Sequence, residues 1–310
     1  MVNKIPVAVI GAAGIGRIHV REFLAAGAQV VGILGSNPKS TKLRAEELSD
    51  EFNLKLRAFC DLKELINSNL QAVSICTPPE THLKILKRVL GSNLYVFCEK
   101  PLFWQSGKNK YLMSETLANL MEKAQDRLLV NTSNAWFMEK YKFLTQNYKK
   151  PKEFHLKFYT HGHYRKEDIG LDLLPHGLSL LQELGCKGKI EALKVEAKDN
   201  EFNCQFIFDG VSCHFDFREN ESLPKEFSFI IDGIEVKRIQ RFENGQYSVF
   251  LVCKLFENGI HQVIDPFRVY IERFVKTVSE GGCFSGLRND IALNVDLMSY
   301  ILEPNNRNVE

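Results

Sequence analysis

The segment VAVIGAAGIGRIH (residues 7–19) constrains the fold of this chain more than any other stretch. A β-branched apolar run ends on Gly11, and glycines recur at 14 and 16 before helical spacing begins. A buried parallel strand that turns tightly into a helix has this pattern. Gly11, Ala13 and Gly16 occupy the three positions of the G-x-G-x-x-G dinucleotide fingerprint, with alanine in the middle. The middle position lets backbone approach a pyrophosphate, and the following helix offers free N–H groups and its positive end. Gly11, Ala12, Ala13, Gly14, Ile15 and Gly16 are therefore the expected diphosphate-binding turn.

The remainder of the first third keeps alternating strand and helix. Residues 16–27 carry Ile18, Phe23 and Leu24 on one helical side and stop at Gly27. QVVGILG (29–35) predicts a second strand and TKLRAEELSDEF (41–52) a charged surface helix. LRAFCD (56–61), AVSICTPP (72–79) and LYVFCEKP (94–101) predict further strands, with a helix from about Glu80 to Leu90. Such alternation implies right-handed βαβ crossovers and a doubly wound Rossmann sheet.

After about residue 130 the texture changes. Closely spaced β segments run from EFHLKFYTHG (153–162) to YSVFLVCKLF (247–256), several alternating apolar and polar residues. Alternation of this kind fits an antiparallel sheet with one wet face. DPFRVYIERFVKTVSEGG (265–282) and RNDIALNVDLMSYIL (288–302) then read as closing helices. The expected fold is α/β: a dinucleotide-binding Rossmann domain over 1–128 and an α+β domain over 129–310. The second domain is expected to hold a large, mainly antiparallel open sheet for substrate binding and oligomerisation.

Composition narrows the partners. Lysine and arginine total 40 against 38 acidic residues, a net charge of +2. That balance lacks the basic footprint of a nucleic-acid binder. No apolar run has the length of a membrane span, and the short N-terminal apolar run lacks a signal-peptide pattern. A cytoplasmic protein is the expectation. The eight cysteines are scattered and form no Cys-x-x-Cys pair, so neither a metal site nor a disulfide framework is expected.

The cofactor depends on the end of the second strand. An NAD site usually places an acid there for the ribose hydroxyls, yet no acid occurs between Glu22 and Glu46. Gly35, Ser36, Asn37, Ser40 and Thr41 stand there instead, with Lys39, Lys42 and Arg44 nearby. Hydroxyls and cations suit a 2′-phosphate, so the reading leans to NADP over NAD.

Three further motifs complete the set. SICTPPETH (74–82) supplies Thr77, Pro78 and His82 at a strand's end, FCEKP (97–101) supplies Glu99, Lys100 and Pro101, and LDLLPHGLSLLQELG (171–185) supplies Asp172 and His176. With the glycine turn, this ordered set resembles the Gfo/Idh/MocA oxidoreductase family, typified by glucose–fructose oxidoreductase and inositol dehydrogenase. The resemblance implies hydride transfer between nicotinamide and a hydroxyl or keto carbon of a sugar, cyclitol or sugar nucleotide. It makes Lys100, Asp172 and His176 the reacting group. His176 would be the acid–base, Asp172 would orient it from one turn away, and Lys100 would hold the substrate oxygen. It also places Thr77, Pro78, His82, Glu99 and Lys100 at the cofactor and implies a homo-oligomer.

Each of these residues has an ordinary alternative role. Asp172 is a good helix N-cap, Lys100 a plausible exposed lysine, and His176 a plausible core histidine. Relatives often approach the Asp-x-x-x-His helix through glycines, whereas this chain reads HGHYRKEDIGLD (161–172). His161, His163, Tyr164, Arg165 and Lys166 could meet a phosphate or carboxylate there, and Asn134 and Trp136 a sugar. A non-catalytic dinucleotide-binding sensor and a nicotinamide-assisted glycosidase are the alternative functions.

Overall fold

The computed structural model describes residues 4–105, 110–243 and 246–303. The chain divides into two compact units. The first comprises the residues up to Asn131 together with Phe267–Ala292, and the second comprises Thr132–Pro266 and the residues from Leu293 on.

In the first unit β1 (Pro6–Ile10), α1 (Ile15–Ala25), β2 (Gln29–Leu34), α2 (Pro38–Phe52), β3 (Arg57–Phe59) and α3 (Leu62–Ile66) come first. β4 (Ala72–Ile75), α4 (Pro79–Val89), β5 (Tyr95–Cys98), α5 (Lys110–Ala124) and β6 (Leu128–Val130) follow. The strand order is β3-β2-β1-β4-β5-β6, all pairs parallel. Val7, Ala8, Val9, Ala72, Val73 and Ile75 are fully buried, as expected for central strands covered on both faces. The order reverses between β1 and β4, and open α/β sheets bind ligands beyond the carboxyl ends of strands at such a point.

The second unit contains α6 (Ala135–Thr145), β7 (Glu153–Thr160), α7 (Glu167–Glu183), β8 (Ile190–Lys198), β9 (Glu201–Phe208) and β10 (Val211–Glu219). β11 (Glu226–Ile231), β12 (Ile234–Glu243), β13 (Gln246–Cys253) and β14 (Ile260–Val263) complete its sheet. The order is β14-β13-β12-β11-β7-β10-β9-β8, antiparallel throughout except for the β7–β10 pair. α7 lies close on this sheet because Gly177 lacks a side chain. A Cβ there would sit 2.6 Å from the Phe215 ring.

Two features depart from the sequence expectation. α7 begins at Glu167, five residues before the predicted cap, with Glu167 and Asp168 in its first turn. Asp172 is therefore an interior helical residue, and Pro175 also falls inside the helix. The early acids favour the positive helix end, which explains the longer helix. The second feature is α8 (Pro266–Ser279), which precedes α9 (Arg288–Leu302). From Phe267 onwards α8 belongs to the first unit, so the units are not contiguous stretches of chain. Its apolar face accounts for this: Phe274 packs 5.4 Å from Phe97 and 5.9 Å from Phe23, ring centre to ring centre. Among the described residues no helix is long and apolar enough to cross a membrane.

Candidate functional site

At the carboxyl end of β1 the chain makes the expected turn. Gly11 has φ +86°, and a Cβ on it would lie 2.8–2.9 Å from Thr77 and Cys76. A Cβ on Gly16 would lie 2.0 Å from the Gly11 carbonyl oxygen, so only glycine lets the turn close on itself. Gly14 precedes α1 at its N-cap position, and no side chain caps that helix. The Gly16 and Arg17 amides donate back to the Ala13 and Gly14 carbonyls at 2.9 and 3.2 Å, and the positive end of the helix at this turn suits a diphosphate. Ala13 is exposed with ordinary φ, so alanine serves at the middle position without backbone strain.

A pocket of about 730 Å³ opens beside this turn. Gly11, Ala12, Ala13, Gly35, Ser36, Thr77 and Pro78 line it. Ile10, Ile33, Leu34, Leu62 and Ile85 give it apolar walls, and Arg44, Lys84 and Arg88 bring positive charge. Among the described residues no carboxylate lines it. Lys84 and Arg88 were missed in the sequence, although Thr81, Lys84, Ile85 and Arg88 follow helical spacing on one face of α4. A glycine cradle, an uncapped helix start and an apolar, carboxylate-free pocket together fit a nicotinamide dinucleotide.

Other predicted residues build the pocket's frame. Asn37 caps α2, its side-chain oxygen accepting from the Lys39 and Ser40 amides at 3.0 and 3.1 Å. Asn37→Ala should therefore lower stability by about 1 kcal/mol in urea unfolding. An unchanged midpoint would contradict the capping role. His82 is wholly buried between two motifs, with Nε2 2.7 Å from the Thr77 carbonyl oxygen and Nδ1 2.9 Å from that of Pro101. It braces the T-P-P turn against the E-K-P turn. Gly14, Ile15 and Gly16 shape the turn without lining the pocket.

Glu99 is also buried, and its role is structural support. Its carboxylate accepts from His19 Nε2 at 2.7 Å and from Asn131 Nδ2 at 2.6 Å. His19 Nδ1 lies 2.7 Å from the Ser74 hydroxyl. The network joins α1, β4, β5 and the end of β6, enclosed by the rings of Phe23, Phe97 and Phe267. Burial pushes the Glu99 pKa up, but the hydrogen bond and charge of His19, the Asn131 amide and the charge of Lys100 outweigh it. The net shift is downward. His19 was quoted in the sequence motif without a role; a histidine on the buried side of α1 was the available signal. Lys100 follows at half burial, and its bond to Pro101 is cis.

The thiols nearby are inert by environment. Cys76 and Cys98 are buried, and desolvation raises both pKa values well above the usual thiol range. Six of the eight cysteines are buried, with Cys60 and Cys283 exposed.

In the second unit Asp172 and His176 lie one turn apart on α7, both half-buried. The His176 ring sits 5.5 Å from that of Phe158 on β7, and its carbonyl accepts from the Ser179 hydroxyl at 2.8 Å. The loop before α7 is held by an acid that strand alternation concealed. Fully buried Glu219, at the end of β10, accepts the Tyr164 amide at 2.8 Å. Gly162 makes room, since a Cβ there would overlap that carboxylate at 1.9 Å.

The remaining loop side chains are engaged with their own neighbours. His161 Nε2 lies 2.9 Å from the Leu223 carbonyl oxygen, and His163 lies 3.7 Å from Glu221. Arg165 donates to the Tyr164 carbonyl at 2.7 Å, and Lys166 lies 3.8 Å from Asp199. These contacts give the loop its shape and lend no support to a phosphate site there. Asn134 is buried at the start of α6, and half-buried Trp136 holds the Lys140 ammonium 4.4 Å from its ring centre.

Fold and pocket together define a Rossmann-type parallel sheet with a pocket at its topological switch point, and a second, sheet-bearing unit. Residues 5–132 match the family model described as GFO_IDH_MocA, oxidoreductase family, NAD-binding Rossmann fold. That part of the chain is similar to the dinucleotide-binding domain of this family. An inositol 2-dehydrogenase of Rhizobium meliloti is 27% identical over 116 residues, covering 36% of this chain and 33% of that protein. A UDP-N-acetylglucosamine 3-dehydrogenase of Acidithiobacillus ferrooxidans is 32% identical over 122 residues, covering 39% of this chain and 34% of that protein. The matched stretch spans about a third of either relative's length. The solved structure of the latter enzyme superposes with a TM-score of 0.70 at 18% identity, covering 97% of this chain and 100% of that one. GenD2 from gentamicin A biosynthesis, solved with NAD, gives 0.73 at 16% identity, covering 96% and 93%. At these identities the superpositions show the shared two-domain fold.

Proposed function

We propose that the chain is a nicotinamide-dependent oxidoreductase acting on a CH–OH group of a sugar, cyclitol or sugar nucleotide. The observation that carries this reading is the pocket of about 730 Å³ at the β1/β4 reversal, lined by the glycine turn and by the T-P-P turn that His82 braces. Gly11, Ala12, Ala13, Gly35, Ser36, Thr77 and Pro78 would hold the dinucleotide. When bound, its nicotinamide supplies the hydride acceptor or donor.

The protein's own residues handle the oxygen and its proton. On oxidation the substrate hydroxyl gives its proton to the His176 imidazole as its carbon loses hydride; reduction returns both. Asp172, one turn earlier on the same helical face, keeps the imidazole oriented. The Lys100 ammonium donates to the substrate oxygen and stabilises negative charge as it develops. His19, Glu99, Asn131 and His82 fix the backbone from which Lys100 projects.

NADP is the favoured form in this reading, because Arg44, Lys84 and Arg88 line the pocket and, among the described residues, no carboxylate does. Arg44→Ala is expected to weaken NADPH binding about tenfold and leave NADH binding unchanged. Equal weakening of both would contradict the 2′-phosphate assignment. A panel of polyols, sugars and nucleotide sugars, read by nicotinamide absorbance, tests the activity. Turnover of none, with either dinucleotide, would count against it.

A further inference from the structure

The second unit carries a cation that the proposed reaction leaves unused. Arg238 lies midway along β12, paired with Leu251 of β13. Strand alternation places it on the same sheet face as fully buried Val236. Its guanidinium carbon lies 4.6 Å from the centre of the Phe227 ring and 5.6 Å from that of Phe158. These two rings stand opposite one another on β11 and β7 and pack edge-to-face at 5.0 Å. The Phe158 ring is also the one beside His176, at 5.5 Å. Arg238 and His176 thus flank a single aromatic side chain.

Among the described residues no acceptor lies within hydrogen-bond distance of the guanidinium and no carboxylate within ion-pair distance. The nearby acid is committed elsewhere: Gln240 donates to the Tyr247 hydroxyl, which is hydrogen-bonded to Asp265. Burial lowers the Arg238 pKa to about 10, opposed by Tyr247 and Asp265, so the group stays charged at neutral pH. Cation–π contact offsets part of the lost hydration but uses none of the five N–H donors. A planar fork of donors, partly dehydrated and held by aromatic faces, is suited to bidentate capture of an oxyanion.

We propose that Arg238 is the recognition site for an oxyanion on the substrate, a carboxylate or a phosphate carried by the molecule whose hydroxyl His176 serves. The link to His176 rests on the proposed function; the anion site rests on the geometry of β12. Arg238 is on this view a specificity-determining residue, and the favoured substrates are acidic sugars or sugar phosphates.

Calorimetric titration of the full-length, NADPH-loaded protein with glucuronate, glucose 6-phosphate and glucose tests the proposal. At least one of the two anions should bind about tenfold more tightly than glucose. Which one does so distinguishes a carboxylate from a phosphate. Arg238→Met keeps a long apolar side chain over the two rings and should bring anion affinity down to that of glucose. Arg238→Lys should retain part of the preference, with NADPH affinity unchanged in both variants. A wild-type protein without preference for either anion would overturn the proposal. So would an Arg238→Met variant that melts like wild type and keeps the preference. If NADPH does not bind, the same titrations on the protein alone still read the anion site, while that failure counts against the proposed function instead.

Discussion

His176→Ala is expected to lower kcat by about 10²–10⁴-fold while leaving NADPH affinity close to wild type. The range is that of losing a positioned proton carrier, since oxidation of an alcohol cannot proceed without an acceptor for its proton. Cofactor affinity should hold because the pocket lining comes entirely from the first unit, whereas His176 lies on α7 of the second. A structural histidine would behave differently. Its removal would open space beside Phe158 and depress the unfolding midpoint, kcat and substrate KM together. Added imidazole should restore part of the lost turnover in His176→Ala, with a pH dependence that follows the added base. Absence of rescue, with a lowered melting midpoint, would assign His176 to packing.

The second large effect is on stability. Glu99→Ala is expected to cost about 3–5 kcal/mol, because it leaves the His19 and Asn131 donors facing an emptied buried site. The same pair predicts a pH dependence. The pKa of Glu99 in the folded chain lies below its ordinary value of 4.5, so folding favours the ionised form. The resulting stability is fully present above pH 4.5 and is lost as the pH falls through the folded-state value. Urea unfolding of wild type across this acid range should therefore show a declining midpoint. Glu99→Gln should be less stable at neutral pH and should show a shallower acid decline. Parallel curves for the two proteins would remove Glu99 from the account of acid sensitivity.

What the sequence reveals follows from how locally each feature is encoded. β1, β2, β4 and β5 stand out because a strand covered on both faces must be apolar throughout, and each here ends near glycine or proline. The strands of the second sheet are legible from alternation, but alternation also hides residues. Glu219 and Arg238 occupy positions that read as ordinary charged steps in a strand, yet one is fully buried and the other lies against two rings. Asp172 looks like a helix cap because Pro175 follows it at a cap-like distance, whereas the helix has already begun at Glu167. The return of α8 to the first unit was not legible either. Phe267 and Phe274 announce an apolar helix face, but not that His19, Phe23 and Phe97 are what the face covers.

The candidate site divides in the same way. The glycine turn and the T-P-P and E-K-P motifs are backbone-shaping sequences, and structure places all three at the carboxyl ends of adjacent strands. The residues that hold those turns, His82 and Glu99, resemble ligand contacts in sequence. Only their burial shows that their polar atoms are directed at the protein itself.

Fluorescence titration of the purified protein with NADPH and NADH tests the central claim most directly, with Gly16→Val as the paired variant. Wild type should bind saturably, and more tightly to NADPH, with binding lost in Gly16→Val, whose side chain would overlap the Gly11 carbonyl. Failure of both dinucleotides to bind wild type at millimolar concentration would contradict the central claim.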